Sequence, residues 1–370
     1  MHTVTWCENH GHPVIELDAA GEIALRDVDN LPVAPYWTDA TRFTVIPEAS
    51  VMAGWDFVMT AAGGALDYNP PSVESTGNLM GAYTFVPSVA NRARSRIFHP
   101  WTKDVTVIDA DALFLGAPPA YHYGHWIYDF LSRLRAWRQA GRAPLKIFTL
   151  AGLPQAHRQT LTMFGVQPED LIEGEIGRVY RFRSLTVGVP LSHTLPVPAT
   201  ARFLYEALAV QKTPAAAGGG CFLERSQTAR GRAIVNAEEL AAVLSEFQIR
   251  TVRRPELSVF EQNALFSEAG IIITPFGTDL VTMFQVRPGT DIVALQFPDM
   301  ENVYEGIADL IVRYCAILGM RLHIVECSLA VREGKLKYHG DMIVDCVALR
   351  GILGKIQARR QAEEARATAS

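Results

Sequence analysis

Cysteine is scarce in this 370-residue chain: five residues, at Cys7, Cys221, Cys315, Cys327 and Cys346, with no Cys-x-x-Cys pair. An odd, scattered set argues against a disulfide framework and a structural zinc site. Reduced core thiols and a cytoplasmic location are the expectation that follows. Long apolar runs are lacking too. None reaches the ~18 residues of a membrane span, and residues 1–12 are polar, without the apolar stretch of a signal peptide. Nor is there a basic excess, since 34 Lys and Arg stand against 39 Asp and Glu, for a net charge of −5. No nucleic-acid partner is expected from that balance. Peripheral membrane association and a homo-oligomer are left open.

What is present is enough apolar residue, 49% of the chain, to build a core in each of two domains. Residues 1–100 are rich in Pro, Gly, Thr and Val with short apolar runs, which predicts irregular β structure. From Val105 onward, strand-like runs at Val105–Ile108, Leu145–Leu150 and Leu185–Val189 alternate with helical patterns at His125–Ala140 and Pro154–Phe164. The segment Gln211–Gly220 reads QKTPAAAGGG, a linker composition. Beyond it, strands at Cys221–Leu223, Ile249–Val252, Ile271–Thr274, Asp291–Phe297 and Leu322–Cys327 alternate with helices at βαβ spacing. That alternation predicts a doubly wound parallel sheet. Asn236 with Glu239, and Ser258 with Glu261, read as helix N-cap pairs. An amphipathic helix is expected over Ile343–Ile356, then a fraying charged tail over Gln357–Ser370. The organisation is an α/β chain: 1–210 as an N-terminal domain (1–100 β-rich, 101–210 α/β), 221–330 as a Rossmann-like domain, and 340–370 as a C-terminal helix and tail.

Four constellations carry candidate chemistry. In Tyr121–Arg135, YHYGHWIYDFLSRLR, helical spacing sets His122, His125, Asp129 and Arg133 on one face. A carboxylate beside an imidazole suits general-base work; it equally suits a polar face held by one His–Asp pair. Arg225, Ser226, Arg230 and Arg232 follow a strand end, where parallel sheets bind ligands and where arginine forks match phosphate oxygens. Pro275, Phe276, Gly277, Thr278 and Asp279 form a strand–turn–helix joint whose backbone N–H groups favour an anion, or which is a joint only. Asp109-Ala-Asp111 could hold a divalent metal, though the tripeptide is common. No metal site is taken as part of the reading.

In their order and spacing these segments resemble glycosyltransferase family 61. The carrying residues are Tyr123 to Asp129 with Arg133-Leu134, Glu224-Arg225-Ser226, Arg230 to Asn236, Leu257 to Gln262, Leu265 to Ala269, Pro275-Phe276-Gly277 and Arg287 to Thr290. The resemblance spans roughly 105–320. It implies a GT-B architecture, two Rossmann-like domains facing a cleft, and inverting transfer from a nucleotide-sugar donor to a glycan acceptor without a cofactor or obligatory metal. Asp129, with His125, would be the catalytic pair. Arg225, Ser226, Arg230, Arg232, Glu261 and the 275–279 turn would hold the donor. His122, Tyr123, Trp126 and Arg133 would line the acceptor side. One segment departs. The family turn usually reads Gly-Pro-His-Gly-Ala-Gly-Leu, whereas this chain has Thr274-Pro275-Phe276-Gly277-Thr278-Asp279-Leu280, with a carboxylate where glycine lets backbone approach phosphate. Three other readings stay open: a nucleotide-sugar epimerase, a non-catalytic nucleotide-sugar-binding subunit, and a metal-dependent transferase using Asp109 and Asp111.

Overall fold

The structure, a computed structural model, describes residues 14–16, 42–54, 57–59, 65–67, 105–116, 118–139, 145–188, 198–209, 218–224, 233–297, 307–330 and 341–369. It is a mixed α/β chain that divides into two compact units, Met1–Leu204 and Tyr205–Ser370.

The first unit is built on one sheet. Its strands are β1 (Val14–Glu16), β2 (Arg42–Pro47), β3 (Ser50–Met52), β4 (Phe57–Met59), β5 (Ala65–Asp67), β6 (Val105–Phe114), β7 (Lys146–Leu150), β8 (Leu171–Gly174) and β9 (Val179–Gly188). The main path runs β5-β4-β3-β9-β6-β7-β8, with β2 also on β9 and β1 on β2. Strands β9, β6, β7 and β8 pair parallel, while the short N-terminal strands pair antiparallel. The parallel part explains the near-continuous apolar burial of β7 and of the end of β6, since such strands are covered on both faces. A helical stretch, α1 (123–139), follows β6. It is succeeded by α2 (Gln155–Met163) and α3 (Pro198–Leu208).

The strand expected over Val105–Ile108 does not end there: β6 runs on through Asp109-Ala-Asp111 to Phe114, with a register shift between Ile108 and Asp111. Arg183 on β9 is the reason. Its Nε and Nη2 donate to the two Asp111 oxygens at 3.0 and 2.8 Å, and Ser184 Oγ donates at 2.7 Å. The guanidinium bonds hold the Asp111 carboxyl below its ordinary range. Asp109 also lies 3.5 Å from Arg183. The carboxylate oxygens that a cation would need are therefore engaged by an arginine.

The second unit holds β10 (Gly218–Glu224), β11 (Ile249–Arg253), β12 (Ala269–Pro275), β13 (Asp291–Gln296), β14 (Arg321–Ala330) and β15 (Asp341–Val344). Its helices are α4 (Ala237–Glu246), α5 (Val259–Glu268), α6 (Ile307–Ile317) and α7 (Cys346–Ala369). Strand order is β11-β10-β12-β13-β14-β15, parallel except for β15. The chain leaves β10 for one neighbour, β11, then crosses back to the other, β12. This reversal is the switch point at which open parallel sheets receive ligands, beyond the strands' carboxyl ends. Cys221, Cys315, Cys327 and Cys346 are buried, unpaired thiols; burial pushes Cys315 up to about 12, which leaves it inert.

Three local expectations are corrected. The helix expected from Ile343 begins at Cys346, because Asp341–Val344 pairs antiparallel with Cys327–Ala330, and Asp345 Oδ1 accepts from Ala348 N at 2.8 Å to start the helix. The tail expected to fray is helical to Ala369, held by arginines described below. Asn236 does not cap α4 with its side chain. Its amide instead exchanges bonds with Val344, accepting from N at 2.9 Å and donating to O at 2.8 Å. Ser258 and Glu261, in contrast, form the expected reciprocal capping box.

Candidate active site

In the first unit, α1 follows the carboxyl end of β6, again the side on which parallel sheets place function. It is not a uniform helix. One α turn, Tyr123–His125, widens into a π turn, Trp126–Phe130, tightens into a 3-10 turn, Leu131–Arg133, and resumes as α at Leu134–Gln139. Single π turns inside helices concentrate at functional positions. Asp129 lies in this turn.

His125 Nδ1 donates to Asp129 Oδ2 at 2.8 Å, and the His122 ring stands edge-on to His125 at 5.0 Å. His122 is exposed and His125 half-buried. Asp129 is 7% exposed, and its second oxygen, Oδ1, is buried with no hydrogen-bond partner among the described residues. Leaving a buried acceptor unmatched costs on the order of 1–3 kcal/mol, more for a charge. Such a group calls for an explanation, and a reacting proton is one.

The sequence places Arg133 on this face as well, but the wide turn changes the phase. Arg133 is 1% exposed; it lies 4.5 Å over the Phe130 ring and donates to the Phe114 carbonyl at 3.3 Å. It ties α1 to the end of β6. Trp126 is likewise fully buried. Its indole N–H donates to Thr160 Oγ1 at 2.7 Å, and its ring stacks on Phe130 at 6.1 Å. It supports the His125–Asp129 turn from beneath. Tyr123 is half-buried with its ring edge-on to His157 at 5.3 Å.

His157 and Thr160, on α2, were not singled out by sequence; nothing local distinguishes a supporting histidine from a surface one. Burial pushes the His157 imidazole from 6.5 down to about 4, against the carbonyls of Ala120 and Tyr121. A lowered histidine value means the folded state excludes a proton the unfolded chain binds. Its stabilisation is full above 6.5 and is lost as pH falls towards 4, a shift worth roughly 3 kcal/mol. Chemical denaturation should show that His157→Gln loses less stability than wild type between pH 6.5 and 4; parallel curves would refute the assignment.

In the second unit, Arg225, Ser226, Arg230 and Arg232 lie outside the described residues. Their strand, β10, ends at Glu224, which accepts from Arg253 Nε at 2.6 Å. At the end of β12, Pro275 and Phe276 are buried and Gly277 takes φ +140°, a backbone conformation that favours glycine. The helix that follows, Thr278–Phe284, is a seven-residue 3-10 helix, a shorter and weaker dipole than the expected helix start supplies. Glu261 is exposed and engaged in its capping box, accepting from Ser258 N at 2.7 Å. Hydrogen bonding with the Ser258 side chain, and then with its backbone, lowers the Glu261 carboxyl.

The Asp279 carboxylate is held by an arginine. Arg254 Nη1 donates to its Oδ1 at 3.0 Å. Arg254 Nε donates to Gln262 Oε1 at 3.0 Å, and Gln262 Nε2 donates back to the Arg254 carbonyl at 3.2 Å and to that of Leu257 at 3.0 Å. Arg254 was missed by sequence. The adjacent Arg253-Arg254 pair follows a strand end, the position argument that singled out Arg225, but only the fold shows which turns in. Arg253 is 62% exposed and Arg254 10%.

Among the described residues no group of three or more His, Cys, Asp or Glu side chains could hold a metal ion, and no helix is long and apolar enough to cross a membrane.

Residues 123–293 match the family model described as Glycosyltransferase 61. The match opens at the first residue of α1 and closes within β13, so it takes in the His125–Asp129 pair, the Arg254–Asp279 pair and the ends of β10, β11 and β12. No curated protein matches the chain.

Proposed function

We propose that this chain, of which residues 123–293 match the glycosyltransferase 61 family model, is a glycosyltransferase that moves a sugar from a nucleotide-sugar donor to a hydroxyl of a glycan acceptor, with inversion. The observation that carries the catalytic assignment is the Asp129 carboxylate, anchored through one oxygen by His125, its other buried oxygen unmatched among the described residues. Asp129 takes the acceptor's hydroxyl proton as that oxygen attacks the anomeric carbon. The bond from that carbon to the diphosphate breaks, and the nucleoside diphosphate leaves with the electron pair. A base so placed must reach the acceptor oxygen within hydrogen-bond distance.

Charge gathering on the leaving group is stabilised by Arg225, Arg230 and Arg232, with Ser226 as a further donor. The reading takes a GT-B arrangement, with the first unit on the acceptor side and the second on the donor side. It takes cationic side chains where other transferases use a divalent metal; the engagement of Asp109 and Asp111 by Arg183 supports that choice over the metal-dependent alternative. Cytoplasmic synthesis of surface polysaccharide is the setting we infer from the family match and the acidic composition.

A thermal-shift screen against nucleoside diphosphates and nucleotide sugars tests the donor side. A ligand at about 100 times its Kd stabilises by roughly 2.7 kcal/mol, a clear rise in midpoint that identifies the donor. Arg225→Ala should abolish most of that rise. An unchanged shift in the folded variant would remove Arg225 from the phosphate site.

A further inference from the structure

We propose that Arg254 is a positioning residue for the donor site: it holds the Asp279 carboxylate and cancels its charge, so that the 275–279 turn can stand beside a nucleoside diphosphate. The inference rests on the donor-site reading above and explains the one place where this chain departs from what that reading asks.

Arg254 follows the end of β11 and Asp279 the end of β12, the two strands that flank β10 at the switch point. A carboxylate there would repel a diphosphate. Like charges a few ångströms apart at a protein surface repel strongly enough to weaken binding about tenfold or more. Arg254 meets that carboxylate at 3.0 Å. The guanidinium is not a mobile surface group that happens to fold over. Its Nε is held by Gln262, which is 5% exposed and bonded back to the Arg254 and Leu257 carbonyls. The Asp279 carbonyl also accepts from Thr282 Oγ1, so the residue is secured through both main chain and side chain. A largely buried ion pair is weak evidence for stability, since well-packed apolar residues serve as well. Its place at the carboxyl edge gives it a role that apolar packing would not fill.

The test is a charge-balanced double-mutant set, read by titration with the nucleoside diphosphate that shifts the wild-type protein most, at low salt. Arg254→Gln should weaken that affinity about tenfold or more, because the guanidinium charge that faces the Asp279 carboxylate is removed. Asp279→Asn should bind about threefold tighter than wild type, because a negative charge beside the phosphates is removed while that of Arg254 stays. The double variant should recover most of the loss in Arg254→Gln, a rescue that a merely structural role would not produce. If the double variant binds as poorly as Arg254→Gln, or Arg254→Gln binds like wild type, the proposal is overturned. Should Arg254→Gln fail to fold, Asp279→Asn alone decides, with weaker binding than wild type counting against. Wild-type protein that binds no nucleoside diphosphate sinks the donor-site reading itself, a result distinct from binding without rescue.

Discussion

Asp129→Asn should leave a folded protein whose transfer rate has fallen about 10²–10⁴-fold, the usual contribution of a positioned general base. The substitution keeps size and shape, and its amide oxygen can still accept from His125, whose Nδ1 lies 2.8 Å from Asp129 Oδ2. What it removes is the basic oxygen that stands buried with no hydrogen-bond partner among the described residues. Two further readings follow from the same geometry. Stability should hold or rise, because a buried, half-satisfied carboxylate is a cost the native state carries. Donor affinity should stay near that of wild type, because Asp129 sits in the unit assigned to the acceptor. A variant that is stable, binds nucleotide and does not transfer separates loss of chemistry from loss of fold. Near-full transfer by Asp129→Asn would remove Asp129 as the base.

The second large effect is on stability, at the opposite, amino edge of the second sheet. Asp291 opens β13 between Ile271 of β12 and Arg321 of β14. It is fully buried. Its oxygens accept from His323 Nε2 at 2.8 Å, from Arg359 Nη2 at 2.6 Å and from Arg360 Nε and Nη2 at 3.3 Å each. Burial would raise this carboxyl, but the His323 and Arg359 bonds and the charges of Arg359 and Arg360 outweigh it and leave the group below its ordinary value.

Gly270 makes room for the arrangement, because a side chain there would run into the Arg360 guanidinium, which itself donates to the Gly270 carbonyl. Arg321 adds a bond to Glu363 at 3.2 Å. The far half of α7 is thus pinned to the sheet. Asp291→Ala strands two arginines and a histidine, and should cost about 3–5 kcal/mol, the typical penalty for removing one member of a buried pair. It should also free the end of α7, seen as a loss of helical signal before global unfolding. Chemical denaturation measures both; a loss under about 1 kcal/mol would show that the cluster carries little. The contribution of a lowered carboxyl is present above its ordinary value near 3.8 and is lost as pH falls through the depressed one. At neutral pH the full effect should appear.

The same region shows how far sequence patterns reach. The strands of the second unit were legible because each is an apolar, β-branched run between turn residues, as in Ile271–Thr274 and Asp291–Phe297. The helix after β6 was legible by period, and the His125–Asp129 pair by i,i+4 spacing. Its π and 3-10 turns were not, because they depend on what Trp126 and Arg133 find to bury against: Thr160, Phe130 and the Phe114 carbonyl. Val344 read as helix because its apolar neighbours fit both periods; antiparallel pairing with Cys327 decided for strand. The tail read as frayed because Arg359 and Arg360 look like solvated charges until Asp291, about 70 residues away, is set beside them. Arg254 and Asp279, 25 residues apart, are the same kind of case. Local periodicity predicts elements, whereas charge partners are chosen by topology.

The central claim is acceptor-dependent, inverting sugar transfer, and product analysis tests it most directly. The folded protein is incubated with the nucleotide sugar it binds, with and without a glycan acceptor and with a chelator present. Nucleoside diphosphate release and the anomeric configuration of the product are then read. The predicted result is release only when acceptor is present, with the transferred sugar inverted relative to the donor. Donor that is bound but never turned over, donor epimerised without acceptor, or turnover abolished by the chelator would contradict it.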